Sequence, residues 1–247
     1  MPSIPRSIRT LLLSPGTFFE ERPPAETLAV AAGVVVALAI ALVIGLSLLG
    51  TIFAGSIDAT VTMDNPDRPP EWVCDQHGDD ESPLADNCDE PATVERDAGA
   101  LAQETFHEYI PYALISPFIL WIFSGIVLFA AGRLAGGDPS VPGSFALAGW
   151  AAVPEFVRLG AVIVGFWFVL RDVTITDPDA QLGVIEGAVA SLEPILQVVS
   201  LLVLLWQWYL LTCGLSRDAD VPWGTAAVAV GVPLALLVPF AVFDSSH

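Results

Sequence analysis

Residues 28–53 read LAVAAGVVVALAIALVIGLSLLGTIF, an unbroken run without a single charge. As an α-helix such a run rises about 39 Å, at ~1.5 Å per residue, against a hydrocarbon core of ~30 Å. Hydrocarbon offers no partner for backbone N–H and C=O groups, so an apolar span must be a helix or part of a closed barrel. The short alternating strands of a barrel are absent. The stretch therefore predicts a transmembrane helix. It is longer than the ~7–15-residue apolar core of a signal peptide, which favours an uncleaved first span.

Four more apolar runs follow, at 112–135, 145–170, 192–213 and 223–243. Together they predict an all-α, integral membrane five-helix bundle. Residues 1–27 precede the first span, and residues 136–144 and 214–222 form short turns. Residues 171–191 form a loop, and the long segment 54–111 is the largest aqueous part. Only 15% of the 247 residues are charged, where a soluble domain carries about 25%.

Positive charge near short loops stays cytoplasmic. Arg6, Arg9, Arg22, Arg133 and Arg217 fall on one side if the N-terminus is inside, leaving Arg68, Arg96 and Arg171 outside. The expectation is a cell-membrane protein with a cytoplasmic N-terminus and an extracellular C-terminus. The formal net charge is −19, with 28 acidic residues, nine arginines and no lysine. Strongly hydrated carboxylates in such excess suit a salt-adapted, halophilic protein. No basic stripe exists to neutralise phosphates, which excludes nucleic acid as a partner.

The outer segment 54–111 carries fifteen of the acids. Its Asp-, Pro- and Asn-rich middle reads as irregular loop, and 92–110 reads as an amphipathic surface helix. Cys74 and Cys88 lie within it, where an oxidising environment favours a disulfide. A zinc site built on Cys74, His77, Cys88 and a carboxylate is the alternative. Cys213, near the end of the fourth span, reads as a small buried residue.

Signs of catalysis are few. HEYIP at 107–111 begins like a zinc-protease motif, but Pro111 stands where the second histidine belongs. No phosphate-binding loop is present, and neither an enzyme activity nor a cofactor is expected. The ionisable residues deep in a span are Glu155 and Arg158, spaced to pair on one helical face, just after Pro154, which should kink the helix. Gln207, on the antiparallel fourth span, falls at a similar depth. This cluster is either a structural pair between helices or part of a polar pathway. Ala29, Gly33, Ala37, Ala41 and Gly45 form a small-residue stripe on the first span, and Gly125, Gly132 and Gly136 a second. They suit packing within the bundle, or else a homo-oligomer seam.

In the N-terminal segment, LLLSPGTFFEERPP (residues 11–24), Thr17 and Glu20 have capping-box spacing, and Pro23–Pro24 stop the helix they begin. The segment predicts a short interfacial helix with Phe18 and Phe19 dipping into the membrane surface. This stretch and GRLAGGDPSVPGSFALAGWAAVP (132–154) together resemble the Yip (Ypt-interacting-protein) domain family, in its bacterial and archaeal members. The matching positions are Pro15, Phe18 and Phe19, then Gly132, Gly136, Gly137, Phe145, Gly149 and Pro154, and the resemblance extends over residues 11–243. It implies a non-enzymatic polytopic membrane protein that organises membrane or scaffolds partner proteins, with the bilayer itself as a partner. The outer segment is longer than is typical of the family. The eukaryotic members' Rab GTPase partners go with a long soluble N-terminal region that is absent before this first span. A small transporter or channel using Glu155, Arg158 and Gln207 is the alternative.

Overall fold

The computed structural model describes residues 4–77, 87–176 and 181–243. Ten helices and one small sheet are formed by the described residues. Four helical segments are long and apolar enough to cross a membrane: Pro24–Ser56, Ala98–Leu134, Val141–Leu170 and Val189–Asp218. A fifth apolar helix runs from Trp223 to Phe243. The chain separates into two compact units.

The larger unit holds residues up to Leu46, Tyr109–Gly165, and the chain from Ser191 onward. It begins with α1 (Ile4–Leu13) and α2 (Pro15–Glu21), followed by a 3₁₀ turn at Pro24–Thr27 and helix α3 (Leu28–Ser56), which contributes as far as Leu46. Pro15 lies in the first turn of α2, where its missing N–H costs no helical bond. This start lies ahead of the capping-box expectation. Thr17 and Glu20 are inside the helix, and Glu20 pairs instead with Arg217.

The expected interfacial placement of Phe18 and Phe19 is overturned. Both are buried, at 3% and 2% exposure. Their rings meet edge to face at 5.2 Å, and Phe18 meets Trp150 in the same way at 5.3 Å. The pair packs into protein because a buried helix, α7 (Val141–Trp150), lies against it. Residues Ala146, Leu147, Ala148 and Trp150 of α7 are buried, as are Gly143, Ser144 and Gly149. A helix apolar all round belongs in a core.

The third apolar run is therefore not one continuous span from residue 145. Helix α7 starts at Val141, the backbone turns at residues 151–154, and α8 resumes over Glu155–Leu170. Pro154 has no N–H and disfavours helical backbone in the residue before it. The freed groups turn to tighter bonds, Val153 N donating to Trp150 O and Glu155 N to Ala152 O, at 3.1 and 3.2 Å. Non-helical backbone at membrane depth is tolerated when it is satisfied in this way.

Helices α6 (Ile110–Leu134), α9 (Gln181–Asp218) and α10 (Trp223–Phe243) complete the larger unit, α9 contributing from Ser191 onward. Indole N–H groups tie them together, since an unpaired donor in hydrocarbon is costly. Trp121 donates to Phe145 O at 2.7 Å, Trp206 to Leu12 O at 3.1 Å and Trp208 to Ala227 O at 2.9 Å. Trp150 donates to Thr27 Oγ1 at 3.0 Å. Outward faces are apolar: Val30, Val36 and Ile40 of α3, and Ile119, Phe123 and Ile126 of α6, are exposed. Lipid satisfies such a surface. Ala29, Gly33 and Ala37 also face outward, so this part of the stripe does not pack within the bundle, whereas Gly45, Gly125 and Gly132 are buried.

The smaller unit holds Ser47–Glu108 and Phe166–Ala190. Here the expected loop contains regular structure. Strand β1 (Thr60–Asp64) pairs antiparallel with β2 (Thr93–Asp97), Thr60 opposite Asp97 and Asp64 opposite Thr93. The expected helix over 92–110 thus begins with a strand. In TVERD, Val94 and Arg96 are the half-buried positions of an alternating pattern. Asp97 then accepts a bond from Ala100 N at 2.6 Å and starts α5 (Ala98–Glu108). A short helix, α4 (Glu71–His77), carries Cys74, which is bridged to Cys88 with Cα atoms 5.5 Å apart. Ile57, Ala98 and Ile175 form a small apolar cluster. Residues 181–190, expected in a loop, belong to α9; Leu, Ala and Glu there are strong helix formers.

Candidate functional site

Two constellations stand out in the larger unit. The first gathers the positions that carry the family resemblance. Helix α6 ends in a Schellman motif: Gly136 has φ +80°, Gly137 N donates to Gly132 O at 3.1 Å and Gly136 N to Arg133 O at 3.0 Å. A left-handed residue at that position strongly favours glycine. The chain then runs to Ser140, whose Oγ caps α7 by accepting from Gly143 N at 3.0 Å. Asp218, at the end of α9, holds this cap. Its carboxylate accepts from Ser140 N at 3.0 Å and from Ser140 Oγ at 2.8 Å. Asp138 N donates to Ala219 O at 3.0 Å alongside.

Along α7, Phe145 lies edge to face with Trp121 at 6.0 Å and covers Gly125. Gly149 lets α3 approach closely: a Cβ there would fall 2.9 Å from both Cβ and O of Ala31. Pro154 ends the segment and sets up the turn into α8. Pro15, Phe18 and Phe19 pack in the same core. These side chains fix close packing and helix ends.

The second constellation is polar. Glu155 opens α8, pairs with Arg158 one turn later, and accepts from Gln207 Nε2 at 2.7 Å. Gln207 Nε2 also donates to Ala151 O at 2.9 Å, a carbonyl in the interrupted backbone before Pro154. The glutamine thus serves both the helix break and the acid. Glu155 is the more enclosed partner, its side chain 21% exposed against 47% for Arg158. Gln197 stays outside this cluster and donates to Glu193 at 2.8 Å. A cavity of about 410 Å³ borders the pair, walled by α3, α6 and the α7–α8 turn.

Among the described residues, no three His, Cys, Asp or Glu side chains cluster as metal ligands. Cys213 is buried. Asp218, and Ser116 and Ser124 on the cavity wall, were not expected from the sequence. Ser140 followed by Pro142 and Gly143 is a readable helix start, but its carboxylate partner is far along the chain.

Long apolar helices, lipid-suited outer faces and a buried half-length helix define a polytopic helical membrane protein. Residues 9–243 match the family model described as Yip1 domain, and the chain belongs to that family. No curated protein and no solved structure matches it.

Proposed function

We propose that this protein is a non-enzymatic organiser of the membrane, scaffolding partner membrane proteins or shaping the bilayer around it. The observation that carries this reading is the convergence of the family-signature residues Phe18, Phe19, Phe145, Gly149 and Pro154 on packing between helices. Its N-terminus is cytoplasmic and its C-terminus extracellular in the cell membrane, following the arginine bias. The disulfide-bearing segment 54–111 then lies on the oxidising side. The outward Ala29, Gly33 and Ala37 offer a second copy a close approach.

A second reading, a small transporter or channel, draws on one observation: the cavity reaches Glu155 and Arg158. Liposome flux separates the two. Under the organiser reading, ion and proton flux stays at background for wild type and for Glu155→Gln/Arg158→Met, while partners cross-link to the wild type in native membranes. A wild-type flux that the folded double variant abolishes overturns that reading. Protease access to terminal tags in intact cells tests the orientation, and cleavage of the N-terminal tag from outside reverses it.

A further inference from the structure

We infer that the cavity beside Glu155 and Arg158 binds one membrane phospholipid, with an acyl chain against its apolar walls and the phosphate and ester oxygens on Arg158, Ser116 and Ser124. This goes beyond the organiser reading and does not depend on it.

The volume, about 410 Å³, falls in the ~300–1,000 Å³ range of pockets that hold small organic molecules. Most of the lining is hydrocarbon, including Val35, Leu38 and Leu42 of α3 and Leu120 of α6. Leu120 is 62% exposed, so this wall reaches the outer surface of the unit. That surface belongs to helices suited to cross the bilayer, where the molecules at hand are lipids.

The polar lining is unbalanced toward donors. Glu155 is an acceptor, but both its oxygens are engaged, one by Gln207 and the other by Arg158. Arg158 carries five N–H donors and is half exposed, with Glu155 as its ion-pair partner. Ser116 and Ser124 are eight residues, about 12 Å, apart on α6, so they share the cavity face and stand on either side of Leu120. A hydroxyl in an apolar helix commonly bonds back to the preceding turn. Neither of these does, and neither has a partner among the described residues. Such a set matches a ligand rich in acceptor oxygens. The Glu155–Arg158 pair is neutral overall, which gives a free anion little attraction, and a bare alkane leaves the donors unmet, so binding needs the acyl chain and the acceptor oxygens on one molecule.

The test uses the full chain, purified and delipidated in detergent, and titrated with a palmitoyl-oleoyl phosphatidylglycerol. Native mass spectrometry counts bound lipid, and the thermal midpoint reports stabilisation. Dodecane and inorganic phosphate serve as separate arms. One phospholipid should bind saturably and raise the midpoint, while dodecane and phosphate do neither. Ser116→Ala/Ser124→Ala should weaken binding roughly tenfold through lost hydrogen bonds. Ala152→Leu, which fills the cavity, should abolish it. The serine double variant changes almost no packing volume, so it remains decisive if Ala152→Leu misfolds. A shift with dodecane equal to that with phospholipid would reduce the site to an apolar void. An equal shift with phosphate would make it a simple anion site. Either result, or lipid retention unchanged in the serine variant, overturns the proposal.

Discussion

The clasp between Ser140 and Asp218 can be taken apart atom by atom. Asp218 accepts two bonds from Ser140, at 3.0 and 2.8 Å, and Ser140 Oγ accepts one from Gly143 N at 3.0 Å. Hydrogen bonds to a charged group contribute about 1.5–3 kcal/mol each when deleted singly. The site is only partly buried, so water replaces some of the loss in Asp218→Ala. The expected cost is roughly 3 kcal/mol. Asp218→Asn keeps one acceptor oxygen and should cost about half as much. Ser140→Ala removes the cap and one bond to Asp218, for about 1–2 kcal/mol. Because the residues share a bond, the double variant should cost less than the sum of the singles, by about 1 kcal/mol. Reversible unfolding in mixed detergent by denaturant titration measures all four. Additivity within about 0.3 kcal/mol, or an Asp218→Ala cost below about 1 kcal/mol, would refute the assignment.

Phe19→Ala should destabilise by about 3–5 kcal/mol, as for a large core aromatic, measured in the same unfolding assay. A residue at the membrane surface would instead leave stability nearly unchanged. Gly149→Val should prevent folding, because its Cβ would fall 2.9 Å from Ala31; a normal elution profile and melting curve would contradict this. Glu155→Gln should destabilise by leaving Arg158 without its counter-charge, and adding Arg158→Met should restore much of the loss, read as thermal midpoints. Cys74→Ser with Cys88→Ser should lower the stability of the smaller unit by about 3 kcal/mol, through a loop closed between residues 14 apart. Faster limited proteolysis within residues 54–108 is the expected sign.

The apolar runs were legible because a bilayer demands uninterrupted helical hydrocarbon, and α3 carries that signal alone. The break before α8 was legible in Pro154. The ion pair was legible in the i,i+3 spacing of Glu155 and Arg158, and Gln207 in the antiparallel depth of the fourth span. Phe18 and Phe19 were misread because their neighbours are charged and prolyl. Local chemistry suited an interface, and only tertiary packing against Trp150 makes them core. Strands β1 and β2 were hidden because each is short and polar, and their pairing joins positions as far apart as Thr60 and Asp97. Asp218 gave no local sign that it would cap a helix beginning at Val141. Its role exists only once α9 is in place.

The burial of α7 carries a consequence for biosynthesis. Chains emerge N-terminus first, so α2 and α3 are available to α7 as soon as it leaves the ribosome. Its other neighbours come later. Leu147 packs against the backbone at Gly214, and the acceptor for Ser140 is Asp218. At about 15 Å, a ten-residue helix cannot cross the hydrocarbon layer unaided. Until some seventy further residues have been made, α7 therefore waits beside Phe18 and Phe19 with one flank open and its first turn lacking a carboxylate. A ribosome stalled before residue 214 should hold a nascent chain that ambient lipid or an insertion factor must shield, and release of α9 should close that flank in a single step.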